Sequence, residues 1–326
     1  MNNIKQFIKF EPIFKEKIWG GDKLKNVLNK KTTNTHIGES WEISDVKEEV
    51  SVISNGNLRG VNLNELIQKH TFNLLGNKVY KQFGNDFPLL IKFIDAREAL
   101  SIQVHPDGEL AKQKHNSFGK TEMWYVMESD KEAELIVGFK NEINEKEYLH
   151  HLKNKSLLSI LNVDKVEKGD VYFIPAGRVH AIGAGVLLAE IQETSDITYR
   201  IYDWDRKDVD GNYRELHTEA ALIALDYSSE KEYKTKYTIL ENEVTPIVSC
   251  PYFVTNIVSV TKNMKINHQD KDSFIIYMCV KGEVTFTSKY NIEKLKVGET
   301  LLVPACIKEF KIDPVNKSEL LEVFIK

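Results

Sequence analysis

Cysteine is scarce in this chain. Cys250, Cys279 and Cys306 are its only three among 326 residues, and no CxxC spacing joins them. That leaves no disulfide framework and no cysteine metal knuckle to read. Each cysteine reads as a small core hydrophobe in a reducing compartment, which points to the cytoplasm. Long apolar runs are missing too. Pro88–Ile91 and Ile182–Ala189 fall far short of the roughly 20 residues that cross a bilayer. Met1–Gln6 lacks the apolar stretch of a secretory leader. Charge of one sign is not in excess: 44 Lys and Arg stand against 48 Asp and Glu, a formal net charge of −4. Nothing here recommends nucleic acid or an anionic membrane as a partner. There is no low-complexity segment, no GxGxxG after a strand and no P-loop, so nucleotide folds find no support. What remains is a composition ordinary for a globular protein, with 42% hydrophobic and 28% charged residues. The chain is long enough for one large domain or two ordinary ones.

Most of it reads as short strands. Ile8–Phe14 mixes alternation with Pro12, as an edge strand does. Trp19-Gly20-Gly21-Asp22 reads as a turn, Lys23–Leu28 as a short helix, and Gly38–Ser44 and Ser51–Ile53 as strands. Leu63–Leu75 has apolar residues at helical spacing, with Asn64 as its cap. Pro88–Asp95 is the clearest buried strand. In Leu100–His105 the period of two sets Ile102 and Val104 on one face, and Ser101, Gln103 and His105 on the other. Met123–Met127 and Ala133–Phe139 read as a strand pair, and Glu142–Leu161 as an amphipathic helical insert. Gly169–Pro175, Gly185–Gln192, Thr198–Trp204, Phe253–Ser259, Ser273–Val280, Glu283–Thr287, Thr300–Val303 and Leu320–Ile325 continue the strands, with Glu219–Leu225 a short helix between. Many short strands at close spacing favour an antiparallel sandwich or barrel over a parallel α/β sheet.

Two segments echo each other. Gly169-Asp170 leads through alternating apolar residues to Pro175-Ala176, and Gly298-Glu299 leads likewise to Pro304-Ala305. His180 stands five residues after the first proline, and Glu309 takes that place in the second. A duplicated β-barrel, one copy with a metal site and one without, accounts for this.

The metal site in question is Gln103, His105, Glu122 and His180. Gln103 and His105 project from one strand face. Glu122 opens the next strand and is expected opposite them across an antiparallel pair. His180 is expected in a turn set by Pro175 and Gly177. Neutral imidazoles with a carboxylate suit zinc or a similar first-row ion. Taken singly, either histidine reads more simply as a loop or core residue.

A family resemblance binds these residues together. Gly169-x5-Pro175-x-Gly177-x2-His180 resembles the second cupin motif, with Ala184 where that motif ends in asparagine. The run Pro88-Leu-Leu-Ile-Lys-Phe-Ile-Asp-Ala-Arg-Glu-Ala-Leu-Ser-Ile-Gln-Val-His-Pro-Asp107 closely resembles the signature of type I mannose-6-phosphate isomerases, as do Gly119–Tyr125 and Glu190 through Arg200 to Arg206. The likeness extends from Trp19-Gly20 into the second, degenerate barrel and is greatest to the short bacterial form.

The resemblance implies a mainly β protein of two cupin-type (jelly-roll) β-barrels with a small helical insertion. Residues 1–240 would form the metal-binding barrel and 241–326 a degenerate barrel without metal. It implies one zinc ion per chain, held by Gln103, His105, Glu122 and His180, and a hexose 6-phosphate substrate. The implied reaction interconverts mannose 6-phosphate and fructose 6-phosphate through a cis-enediol, in a monomer or weak dimer. Arg200 matches the family's catalytic arginine. An arginine cannot act as a base, so it is expected to stabilise negative charge or orient substrate. The plain alternative is an ion pair with Asp196 or Asp203. Lys120 matches a lysine near the substrate. Glu190, inside an apolar run, matches a pocket glutamate that either transfers a proton or is a buried partner for Lys120 or Arg200. Arg200, Arg206, Lys120 and Lys92 are candidates for the phosphate. Gly119 stands where many relatives carry a histidine. Two other readings compete: a cupin Fe(II) oxygenase using two histidines and a carboxylate, and a non-catalytic sugar-phosphate sensor.

Overall fold

A computed structural model describes residues 4–208 and 210–326, so part of the Met1–Gln6 stretch lies outside it. Short apolar and alternating runs make strand the commonest regular structure in the chain. The first half supplies β1 (Ile13–Gly21), β2 (Ile37–Ile43), a ribbon of β3 (Asp45–Val46) and β4 (Glu49–Val50), β5 (Leu89–Ala96), β6 (Ile102–Val104) and β7 (Glu122–Ser129). Then come β8 (Glu134–Phe139), β9 (Leu161–Lys165), β10 (Val171–Ile174), β11 (His180–Ile182), β12 (Val186–Glu193) and β13 (Tyr199–Tyr202). They form a six-stranded sheet ordered β1-β2-β5-β12-β7-β10 and a five-stranded sheet ordered β13-β6-β11-β8-β9. Among the described residues no helix is long and apolar enough to cross a membrane.

The six-stranded sheet is buried on both faces, which explains why β5 and β12 lack polar alternation and are buried along their whole length. Phe93, Tyr125 and Ala189 pack on one side with Leu66 and Leu74 of the Leu63–Leu75 helix and with Ile276 and Leu321 of the second half. Ile94, Trp124 and Leu188 pack on the other side with Leu135, Val137 and Ile182 of the five-stranded sheet. By period two, Lys92, Glu122 and Glu190 share that second side.

The second half repeats the arrangement. Its strands are β14 (Val244–Ser249), β15 (Val254–Val260), β16 (Met264–Asn267), β17 (Ile275–Lys281), β18 (Glu283–Thr287), β19 (Ile292–Lys296), β20 (Thr300–Val303), β21 (Glu309–Pro314) and β22 (Ser318–Phe324). The sheets run β14-β15-β22-β17-β20 and β16-β21-β18-β19. Each half is thus a pair of open sheets rather than a closed barrel. The sequence echo is also an echo of geometry. Gly169 and Gly298 take left-handed φ of 94° and 81°, where only glycine is unstrained. The turns after them close alike, Arg178 N donating to Pro175 O at 3.1 Å and Ile307 N to Pro304 O at 2.9 Å.

Several expectations need correction. β7 and β8 are not a pair: β7 joins β12 and β10, and β8 joins β11 and β9 in the other sheet. Glu132, left-handed at φ 65°, turns the chain from one sheet to the other. Trp19-Gly20-Gly21 is strand rather than turn, with glycine at position 20 because the backbone of His36 and Gly38 passes too close for a Cβ. The helix cap is Asn62, whose side chain accepts from Glu65 N at 2.8 Å, rather than Asn64. The helical insert is a shorter helix, Glu145–Lys153, and a 3-10 turn, with Leu161 already in β9.

The N-terminal segment crosses to the second half. Ile8 bridges Leu302, and Phe7 lies in the second core, edge-on to Phe286 and Phe310 at 5.8 and 5.6 Å between centroids. Phe7→Ala is expected to cost about 3–5 kcal/mol, measured by denaturant unfolding. A loss below about 1 kcal/mol would show that this segment does not stabilise the second core.

Candidate metal centre and active-site cavity

Ile102 and Val104 point away into a separate apolar cluster, so alternation turns Gln103 into the space between the sheets. His180 opens β11 directly opposite Gln103, and Arg200 of β13 lies opposite Gln103 on the other side. Three neighbouring strands therefore set His180, Gln103 and Arg200 in a row. His105 follows just past β6. His180 is on a strand, not in the turn expected for it. Glu122 is not across an antiparallel pair from Gln103 either. It opens β7 in the facing sheet, opposite Ile174 and Gln192, and reaches across the interior.

The result is a convergence of electron pairs. His105 Nδ1 lies 3.0 Å from Ile197 O, and His180 Nδ1 lies 2.8 Å from Arg178 O. A carbonyl only accepts, so each Nδ1 carries the proton and each Nε2 presents a lone pair, with the Gln103 amide nitrogen 3.2 Å from that of His180. Those two Nε2 atoms are 3.1 Å apart. Glu122 brings its oxygens to 3.5 Å from His105 Nε2 and 3.6 Å from His180 Nε2, and neither oxygen has a hydrogen-bond partner among the described residues. All three residues are buried, and their donor atoms lie within 4.8 Å of one another. Burial pushes His180 down to about 4 and His105 well below the usual histidine range, so both rings are in the neutral, ligating form. Burial and the Glu190 charge push Glu122 up to about 8, a cost that a bound cation would remove. Two facing lone pairs and an orphaned carboxylate fit a metal ion.

A ladder of buried charges flanks this centre. Lys92 Nζ donates to Glu190 at 3.1 Å and lies 3.8 Å from Glu39, and Lys17 lies 3.2 Å from the other Glu39 oxygen. Trp124 Nε1 donates to Glu190 at 2.9 Å, and Trp41 Nε1 to Glu39 at 2.6 Å. Burial would lower Lys92, but Glu190 and Glu39 outweigh it and raise it. Burial would likewise raise Glu39, but Lys92, Lys17 and the Trp41 bond hold it at about 2. The partner of Glu190 is therefore Lys92, not Lys120 or Arg200. Lys120 approaches Glu122 at 3.6 Å. Arg200 pairs with neither Asp196 nor Asp203: its Nη1 donates to Glu215 O at 2.9 Å, and its Nε is buried without a partner. Burial and the nearby Arg214 lower it from the usual arginine value.

Gln103, Lys120, Glu190, Lys92 and Arg200 all line one cavity of about 490 Å³. Its walls carry seven Lys and Arg against four Asp and Glu, an excess suited to an anionic ligand. Glu39, Trp41 and Arg214 also line it and were not singled out from the sequence. Glu39 gave no signal of its own, since it shares a strand with Ser40 and Glu42, and only the structure shows that strand wholly buried.

Fold and site together define a mainly β protein of cupin type with a buried candidate metal centre. The description "phosphomannose isomerase type I, catalytic domain" fits residues 7–143, and "mannose-6-phosphate isomerase, cupin domain" fits residues 243–320. The mannose-6-phosphate isomerase ManA of Bacillus subtilis is 34% identical over 307 residues, covering 93% of this chain and 95% of that one. The mannose-6-phosphate isomerase of Streptococcus mutans is also 34% identical, over 310 residues, with the same coverage of both chains. The crystal structure of the mannose 6-phosphate isomerase from Bacillus subtilis superposes with a TM-score of 0.87 at 30% identity, over 97% of this chain and 99% of that one. The chain belongs to the type I phosphomannose isomerase family.

The charge ladder predicts an acid limb of stability. Glu39 is held below its ordinary 4.5, so its contribution is present above about pH 4.5 and lost as pH falls toward 2. That contribution is on the order of 3 kcal/mol. Urea melts between pH 6 and 3 should show Glu39→Gln losing stability less steeply than the unmodified protein. Parallel curves would contradict the assignment.

Proposed function

We propose that this chain is a zinc-dependent aldose–ketose isomerase that interconverts mannose 6-phosphate and fructose 6-phosphate through a cis-enediol. The observation that carries the reading is the orphaned Glu122 carboxylate between two imidazole lone pairs, beside a cation-rich cavity whose wall includes its neighbours Gln103 and Lys120, in a chain of this family. His105, Glu122 and His180 would hold the ion. Gln103, whose Nε2 is 3.2 Å from His180 Nε2, becomes a fourth ligand when a half-turn of its amide presents the oxygen instead. Zinc, when bound, polarises or positions the sugar oxygens.

The rest falls to the chain's own side chains. Moving a proton between C2 and C1 needs a base at those carbons. Glu190, oriented by Trp124 on one oxygen and Lys92 on the other, takes and returns that proton. The oxygen that becomes negative in the enediolate needs fixed positive charge beside it. Lys120 and Arg200 supply it, and Arg200 has an N–H still without a partner. Each half is read as a cupin-type jelly roll, 1–240 and 241–326, with the Phe7 segment crossing between them. By strand register Ile275 occupies in the second half the place of Glu122, consistent with one zinc per chain. The free cysteines suit the cytoplasm.

A chelator should abolish mannose 6-phosphate turnover, and zinc should restore it. His180→Ala should lose metal and turnover together. Arg200→Ala should keep metal while kcat falls about 100- to 1000-fold. Bound iron with oxygen uptake and no sugar-phosphate turnover would sink the isomerase reading in favour of an oxygenase.

A further inference from the structure

The strap that follows β13, described over residues 203–208 and 210–217, is bound to Arg200 by three contacts. His217 N donates to Arg200 O at 2.7 Å, Arg200 N donates to His217 Nδ1 at 3.0 Å, and Arg200 Nη1 donates to Glu215 O. Its first corner is strained. Trp204 and Asp205 are consecutive left-handed residues, at φ 59° and 51°, a conformation that persists only when its surroundings hold it. They do hold it: Trp204 Nε1 donates to Leu100 O and Arg206 Nη1 to Ala99 O, each at 2.8 Å. Asp203, 5% exposed, takes Arg206 at 2.7 Å on one oxygen and grips Arg214 with both.

This arrangement costs strain to carry Arg214 to the wall of the active-site cavity. The Nε–Nη2 edge of Arg214 is occupied by Asp203, which leaves Nη1 for the cavity. Arg206 and Arg214 share the carboxylate of Asp203, Arg200 lies close enough to feel the charges of Arg214, Asp203 and Glu215, and Glu98 stands 3.7 Å from Arg206. The excess of positive charge lies on the cavity wall that Arg200 and Arg214 share with five lysines.

We infer that Arg214 takes the phosphate end of the substrate, with Asp203 as its positioning residue; this rests on the isomerase reading above. Arg200, one strand nearer the metal centre, serves the reacting end. A side-on carboxylate that fixes a guanidinium and leaves its other edge free is a preorganised phosphate grip.

The test is steady-state kinetics on zinc-loaded protein with mannose 6-phosphate, and with inorganic phosphate as a competing inhibitor. Arg214→Gln should raise KM and the phosphate inhibition constant together by at least tenfold, while kcat falls less than tenfold. Arg214→Lys should lie between, and Asp203→Asn should raise both constants about threefold or more. If Arg214 only supports the fold, melting temperature and kcat will fall while the phosphate inhibition constant stays within twofold, and the assignment is overturned. That constant does not depend on the fraction of active enzyme, so partial unfolding of a variant does not blur it. Unmodified protein with no turnover overturns the isomerase reading. Turnover that survives with KM unchanged in Arg214→Gln overturns this inference alone.

Discussion

A carboxylate with no hydrogen bond, facing two imidazole lone pairs in a dry interior, is the constraint on which this structure turns. Such an arrangement is unfavourable by itself, because the carboxylate has left water without gaining a hydrogen-bond donor. It persists because the atoms come from opposite sheets, and neither sheet can move away. The six-stranded sheet is clamped on its far side by the Leu63–Leu75 helix and the second half. The five-stranded sheet is anchored by its own apolar cluster beneath Ile102 and Val104. Packing thereby holds the three donor residues together, as a rigid scaffold does for a preorganised site.

Beside it the fold carries charge in alternation: Lys17, Glu39, Lys92, Glu190. Glu39, Lys92 and Glu190 are each met by an opposite charge, and both carboxylates also by an indole N–H, so their burial is tolerated. The second half shows the same geometry closed off. By register Glu322 stands where Glu190 does and Tyr277 where Trp124 does. Yet Glu322 is wholly engaged by Tyr277, Asn256, Lys271 and His268. With Ile275 in the place of Glu122, no buried carboxylate among the described residues there is left orphaned. Among the described residues the cluster of metal-ligating type is His105, Glu122 and His180. One duplicated framework thus holds an open polar cluster in one half and a satisfied one in the other.

Much of the framework was legible because period two is a property of the local backbone. Leu89–Ala96, Val186–Glu193 and Tyr199–Tyr202 lie where alternation or compact apolar runs placed them. Less legible were β16, β19 and β21, where lysines and glutamates alternate with single apolar residues on an exposed sheet. The cap fell to Asn62 over Asn64 because only the residue with extended backbone can turn its side chain to the third helical N–H.

By itself the sequence determined which side chains share a strand face, which donor types recur at metal-ligand spacing, and that the Gly–Pro turn occurs twice. Tertiary structure alone decided that Glu122 meets the histidines across the interior rather than along a sheet. It also decided that Glu190 is held by Lys92, and that Arg214 reaches the cavity from a strap pinned by Asp203. The physical reason is that a side chain's direction follows from its own φ and ψ. The partner that a buried charge must find is set by which sheets pack together, and that partner can lie anywhere along the chain.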